Sequence, residues 1–208
     1  MSGSNSDLKA QTRSEMRSKL KALSTAEALR KGARIQEKVI QWPLFEKAKA
    51  LGLYAAYRNE VETRLIFEWA RKTGKRVAYP RVTDAGLLEF SWIDSFEELV
   101  KTPLGPLTPR LDHPPAPLSG LELILVPGLA FDDQGRRLGR GKGFYDRTLA
   151  QFKGVSLGLA YSFQVVPRLP QDPWDEGVQW VATESNFFQI PSFRSRDFDD
   201  SEGKGGMP

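Results

Sequence analysis

The segment from Glu122 to Arg147 constrains this chain more than any other. Glu122–Val126 reads as a strand, apolar after its first residue and closed by Pro127-Gly128. A loop follows in which Gly139, Gly141 and Gly143 stand at alternate positions among Arg136, Arg137, Arg140 and Lys142. Phe144-Tyr145-Asp146-Arg147 then opens a helix expected to reach about Phe152. A strand that turns through a glycine-rich loop into a helix is a unit of an α/β layer fold. Such a loop lies at the carboxyl end of the sheet, where backbone amides and a helix N-terminus favour an anion. Glycines let the backbone approach that anion closely. With Arg137, Arg140 and Lys142 adding full charges, the loop reads as a polyphosphate cradle. It is not a Walker A loop, because Gly143 follows Lys142, nor a Gly-x-Gly-x-x-Gly loop, because the third glycine comes one residue early.

The rest of the chain alternates in the same way. Ser6-Asp7 is expected to cap a helix running to Leu23, with Leu8, Met16, Leu20 and Leu23 on one stripe. Ser24 and Glu27 form a capping-box pattern that opens a second helix, ending near Gln41 before Pro43. Strands are expected at Ala50–Tyr54, at Arg76–Tyr79 ending before Pro80, at Leu87–Ile93, Val155–Ala160 and Val178–Thr183. Thr63–Lys72 reads as a helix with Gly74 as its left-handed cap. Asp94–Val100 reads as a short helix. Lys101–Ser119, with six prolines, reads as a loop without strand or helix. The fold implied is an α/β three-layer sandwich with a mainly parallel sheet, Rossmann-like. It is expected to form one domain over residues 1–191, with a charged, Gly/Ser-rich and disordered tail from 192 to 208.

Composition removes several chemistries. The chain has no Cys and a single His among 208 residues. Thiolate catalysis, disulfides, zinc knuckles and iron–sulfur ligation drop out together. His113 lies among prolines with no visible partner, and reads as a surface or packing residue. No apolar run is long enough to span a membrane, and the polar N-terminus carries no signal pattern. A cytoplasmic location is therefore expected. The net charge of +4 is concentrated in Lys9–Arg34 and Arg136–Arg147. These segments lack interleaved aromatics, so an anionic small molecule is favoured over nucleic acid.

Asp146 sits at the start of the loop's helix. As an exposed carboxylate there it would add a few tenths up to about 1 kcal/mol through the helix dipole. Beside bound phosphates it would instead be a Mg²⁺ ligand, since Mg²⁺ takes one or two carboxylates with phosphate oxygens and water. Asp175 is a candidate for the second carboxylate. Spacing alone does not choose it over Asp172 or Glu176.

Val126-Pro127-Gly128-Leu129-Ala130-Phe131-Asp132 followed by Arg137-Leu138-Gly139-Arg140-Gly141-Lys142-Gly143-Phe144-Tyr145-Asp146-Arg147 resembles the signature of the 5-formyltetrahydrofolate cyclo-ligase family. Lys9-xxx-Arg13 with Arg17 beyond, Glu60-Val61-Glu62-Thr63, Pro173-Trp174-Asp175 and Thr183-Glu184 are similar to the family's other elements in order and spacing. The resemblance runs from about Lys9 to Glu184. It implies ATP-dependent closure of 5-formyltetrahydrofolate to 5,10-methenyltetrahydrofolate, with release of ADP and phosphate. The formyl oxygen attacks the γ-phosphate, and a neighbouring nitrogen then displaces phosphate from the activated carbon. Positioning and charge neutralisation carry such chemistry.

The resemblance also implies roles. Lys9, Arg13, Arg137, Gly139, Arg140, Gly141, Lys142, Gly143, Phe144 and Tyr145 would bind ATP. Arg140, Lys142 and Tyr145 would act in catalysis. Tyr54, Glu60 and Tyr145 would contact the folate, with Glu60 accepting from the pterin N–H groups. Asp146 and Asp175 would hold Mg²⁺. On the residues alone, Lys9 and Arg13 could equally be a solvated helix face, Glu60 a helix cap near Thr63, and Tyr145 a core residue. The partners expected are small molecules only, with no nucleic acid, no membrane and a monomeric chain. Three positions depart from the family pattern. Phe144 stands where a Tyr is frequent, Gln179 where many members carry a further Asp, and Thr108-Pro109 where many have Glu-Pro. A non-catalytic folate- or nucleotide-binding protein on the same scaffold is the alternative, and a basic RNA-binding module is a third.

Overall fold

The computed structural model describes residues 4–102 and 105–191. The segment 192–208, expected to be a tail, lies outside the described residues.

Local sequence sets the helices. Helix α1 (Asn5–Ala22) opens at Ser4, whose hydroxyl accepts from the Asp7 amide while the Asp7 carboxylate reaches back. The cap thus falls two residues before the expected Ser6-Asp7 site, with Asp7 as the reciprocal acid. Ser24 and Glu27 form the expected capping box of α2 (Thr25–Ile40). Pro43 does not merely end that helix. It opens a short α3 (Pro43–Lys47), because a proline in the first turn forfeits only an amide that has no helical partner. Helix α4 (Arg64–Lys72) ends before Gly74, whose φ of +78° is the left-handed closure expected there.

Among the described residues, eight strands form the main sheet. They are β1 (Ala50–Gly52), β2 (Arg76–Val82), β3 (Leu88–Trp92), β6 (Pro115–Ala116), β7 (Leu123–Pro127), β10 (Val155–Leu159), β11 (Trp180–Ala182) and β12 (Phe187–Gln189), in the spatial order β12-β11-β10-β7-β1-β2-β3-β6. The five inner strands from β11 to β2 run parallel; β12, β3 and β6 are antiparallel additions at the edges. Two ribbons complete the set: β4 (Leu99–Val100) with β5 (Thr108–Pro109), and β8 (Ala130–Phe131) with β9 (Arg137–Leu138). This is the α/β architecture with a mainly parallel sheet.

Strand β7 is apolar throughout because both its faces are covered. Leu123 and Leu125 enter one core, and Ile124 and Val126 the other. The first core also takes Met16 and Leu20 of α1, Ile35 and Val39 of α2, Phe45 of α3 and Ile66 of α4. The second takes Leu149 of α5 (Phe144–Leu149) and Phe131. A Cβ on Gly128 would come within 2.6 Å of the Phe131 ring, so glycine there lets the ring pack under the strand end.

Four local expectations are corrected. Strand β2 continues through Pro80 to Val82, because pairing with β1 stops at Gly52–Ala78 and a proline beyond it interrupts no ladder with that neighbour. Asp94–Val100 is one turn of 3₁₀ helix (Phe96–Glu98) followed by β4. The proline-rich stretch contributes β5 and β6. Proline is compatible with such short edge pieces, which need few backbone donors. His113 is not without a partner: its Nδ1 lies 3.5 Å from Glu98 Oε2.

Candidate active site

Helix α1 explains how the site is built. Its inward positions are Lys9, Arg13, Met16 and Leu20, which follow the helical spacing of one face. The C-terminal half of that face enters the core. Its N-terminal half carries cations into a cavity. Lys9 is only 6% exposed, which excludes a solvated helix face, whereas Leu8, expected in the apolar stripe, is 44% exposed.

That cavity has a volume of about 660 Å³ and lies between α1, the loop from β9 to α5, and the 172–176 segment. Lys9, Arg13, Arg137, Gly139, Gly141, Lys142 and Gly143 all line it, as do Asp146 and Asp175. Residues more than 160 apart in sequence meet here. Lys9 Nζ lies 2.6 Å from Asp172 Oδ2 and also pairs with Asp175. Burial pulls the Lys9 pKa down, but the hydrogen bonds to Asp172 and Asp175 outweigh it, and the pKa lies above the usual lysine value. Asn5 Nδ2 donates to Asp172 Oδ1 at 3.2 Å, and Arg13 Nε donates to the Gly139 carbonyl at 3.1 Å. The first helix is thereby fastened to both walls.

The glycine loop is held from below. Asp132, fully buried, accepts from the amides of Gln134, Arg136 and Leu169, fixing the β8–β9 turn. Arg137 on β9 then projects from the ribbon. Its Nη2 meets Asp146 Oδ1 at 2.8 Å, and its Nη1 donates to Pro127 O. Its Nε is buried without a partner among the described residues. Gly141 and Gly143 have φ of +99° and +66°, where a side chain is strained. Asp146 is therefore not an exposed helix-start carboxylate but one arm of a shielded ion pair.

The structure separates other residues from this cavity. Arg140 turns away and lines a second cavity of about 490 Å³ with Arg17, Lys21, Arg58 and Asn59. Its Nε and Nη2 lie 2.9 and 2.8 Å from Glu60 Oε1, while Glu60 Oε2 accepts from the Tyr57 amide at 3.0 Å. Glu60 thus does not cap α4. Burial raises its carboxyl pKa, against the lowering effect of Arg140. Asn59 Nδ2 donates to Leu20 O at 2.6 Å, tying this turn to the end of α1. Arg58 is held at a φ of 60°. That conformation costs an L-residue about 1–2 kcal/mol.

Tyr54 is buried at the end of β1 and donates to Val61 O at 2.8 Å. Tyr145 packs against the second core, so its core role is real, with the Arg137 guanidinium 5.6 Å from its ring centre. Burial, then the negative charge of Glu60, raise the Tyr145 pKa. Burial likewise pushes Tyr161 up to about 12. Phe144 lines neither cavity and lies under Arg147 at 5.7 Å. Of the departing positions, Gln179 receives the Ser156 amide at 2.9 Å, and Thr108 donates to Pro80 O at 3.2 Å.

The sequence leaves Asp172 unchosen and does not single out Arg58, Lys21 or Arg147, all of which line the two cavities. Asp172 was visible as an acid near Pro173-Trp174-Asp175. Arg58 and Asn59 stand directly before Glu60.

Comparison with known proteins bears on family and fold. A family profile described as "5-formyltetrahydrofolate cyclo-ligase family" matches residues 5–184. The 5-formyltetrahydrofolate cyclo-ligase of Mus musculus is 33% identical over 190 residues, covering 84% of this chain and 92% of its own. That of Escherichia coli is 32% identical over 180 residues, covering 84% and 99%. The solved 5,10-methenyltetrahydrofolate synthetase of Aquifex aeolicus superposes with a TM-score of 0.80 at 33% identity, covering 95% of this chain and 98% of that one. The Mycoplasma pneumoniae synthetase gives 0.69 at 27% identity, over 85% and 98%. With its strand-to-loop-to-helix cradle, its parallel sheet and a profile match along most of its length, this chain belongs to the 5-formyltetrahydrofolate cyclo-ligase family.

Proposed function

We propose that this chain closes 5-formyltetrahydrofolate to 5,10-methenyltetrahydrofolate with ATP as co-substrate. The observation that carries the reading is the cavity in which Lys9, Arg13, Arg137 and Lys142 surround the glycine loop beside Asp146 and Asp175. The formyl oxygen forms a bond to the γ-phosphorus as the bond to the ADP oxygen breaks. The neighbouring amine nitrogen then attacks the activated carbon, loses its proton, and phosphate departs with the former formyl oxygen. Lys9, Arg13 and Lys142 would neutralise the phosphates, and the Gly139–Gly143 backbone would approach them. Arg140 would act from the folate side, orienting Glu60 toward the pterin N–H groups. Arg17, Lys21 and Arg58, which line the second cavity, would face the substrate's carboxylate end, while Tyr54 and Tyr145, which line neither cavity, would support the junction from the two cores.

Mg²⁺ fits the residues present. Asp146 Oδ2 and Asp175 Oδ1 make no hydrogen bond among the described residues, and both carboxylates line the phosphate cavity. Among those residues no group of three or more acidic, His or Cys side chains could hold an ion alone. Two carboxylates completed by phosphate and water are what Mg²⁺ takes. Bound there, it would offset charge on the transferring phosphoryl group. The reading assigns the activity to a single α/β domain over residues 1–191. It also carries a monomeric chain, and a cytoplasmic location with which the lack of cysteine agrees. Among the described residues, no helix is long and apolar enough to cross a membrane.

The test is a cuvette assay of the purified protein with 5-formyltetrahydrofolate, Mg²⁺ and ATP, following the near-ultraviolet absorbance of the methenyl product. Product that requires ATP and is lost in Asp146→Asn is expected. ATP and folate binding without turnover would instead leave a binding protein on this scaffold.

A further inference from the structure

Each carboxylate assigned to the metal already has a cation of the protein against it. Asp146 is held by Arg137 at 2.8 Å, and Asp175 by Lys9, whose Nζ also lies 2.6 Å from Asp172. The Asp172 amide donates to Asp175 Oδ2 at 2.7 Å, so the Lys9 contact and the bend of the 172–175 segment are one unit. The side chains of Lys9 and Arg137 are 7% and 3% exposed. A divalent ion on Asp175 Oδ1 and a shielded ammonium on its Oδ2 cannot both bind the one carboxylate at full strength, because the two cations repel across a few ångström of poorly screened space.

We infer that Lys9 is a positioning residue for the metal. It occupies Asp175 as an internal counter-cation, and it keeps a divalent ion from binding until a polyphosphate gives its ammonium another anion. The inference rests on the metal reading above. The geometry supports an exchange rather than a fixed pair. Lys9 lines the same cavity as Lys142, Arg13 and the glycine loop, so incoming phosphate oxygens would lie among its neighbours. It is carried by α1, which Asn5 and Arg13 fasten independently of Lys9. The ammonium can therefore change partner without the helix leaving.

The experiment measures Mn²⁺ uptake from the loss of the free-ion electron paramagnetic resonance signal, first with Mn²⁺ alone and then with ADP present. The unaltered protein should take little Mn²⁺ alone. Lys9→Gln, with circular dichroism unchanged, should take it at least tenfold more tightly, and Lys9→Gln combined with Asp175→Asn should lose that gain. Tight uptake of Mn²⁺ alone by the unaltered protein overturns the inference whether or not the variants fold. So does a Lys9→Gln protein that gains nothing while Asp175→Asn weakens Mn²⁺ in the ADP complex; the metal reading then survives alone. If Asp175→Asn leaves the ADP-dependent uptake unchanged, the metal reading falls and the inference falls with it.

Discussion

Arg137 Nη2 and Asp146 Oδ1 meet at 2.8 Å, with the arginine side chain 3% exposed and the aspartate 20%. The pair joins the β8–β9 ribbon to the first turn of α5 across the floor of the candidate site. Asp146→Ala would leave the guanidinium shielded and uncompensated beside its already unpartnered Nε. The expected loss is about 2–3 kcal/mol, below the fully buried case because the aspartate keeps some water. Urea denaturation measures it, and a loss under about 0.5 kcal/mol, within the range of ordinary surface changes, would return Asp146 to the surface. Asp146→Asn keeps an acceptor for Arg137 and is the better variant for activity.

Lys142 is exposed at the cavity rim. Lys142→Ala should leave the unfolding midpoint unchanged and raise the KM for ATP by about 10- to 100-fold, the weight of one charge-assisted hydrogen bond. Steady-state kinetics with ATP varied reads this directly. An unaltered ATP dependence removes Lys142 from the cradle.

Arg140 and Glu60 should act as a pair on the folate side. In a double-mutant cycle of Arg140→Ala and Glu60→Gln, the two changes should be non-additive by about 0.5–3 kcal/mol in kcat/KM for 5-formyltetrahydrofolate. The KM for ATP should move much less. Additive effects would mean that the ion pair does not organise the substrate.

The Asp172 carboxyl is held below the ordinary range by hydrogen bonds from Lys9, then Asn5. A depressed acid adds stability that is present above the unfolded pKa of about 3.9 and lost as pH falls through the lower folded value. The Tm gap between the unaltered protein and Asp172→Asn should therefore be full at pH 6 and close on acidification below about pH 3.9. A gap that stays constant down to pH 2.5 contradicts the assignment.

Phe144→Tyr adds a hydroxyl at the first turn of α5. Phe144 lines neither cavity. The substitution should change kcat by less than about twofold, well under the tenfold that 1.4 kcal/mol would bring. A larger gain would show that the loop rearranges with substrates bound.

Much of this was legible in the linear chain, because the signals were local. The Ser24–Glu27 capping box, the left-handed Gly74, the apolar β7 and the glycine loop with its cations each arise from a few neighbouring residues. Hydrogen-bond caps, positive φ and two-sided burial leave their mark on adjacent positions. Who faces whom was not local. Lys9 looked like one more charge on a basic helix, and only packing against a segment more than 160 residues away buries it between two aspartates. Arg140 lay inside the phosphate motif, yet it pairs with Glu60 and lines the second cavity, while Gly139, Gly141 and Lys142 around it line the first. The sequence by itself determined the longer helices and the inner strands, the sheet class and the identity of the charged groups. The tertiary structure alone decided which charges share a cavity and which are already paired, since those energies depend on distance and shielding that spacing along the chain does not encode.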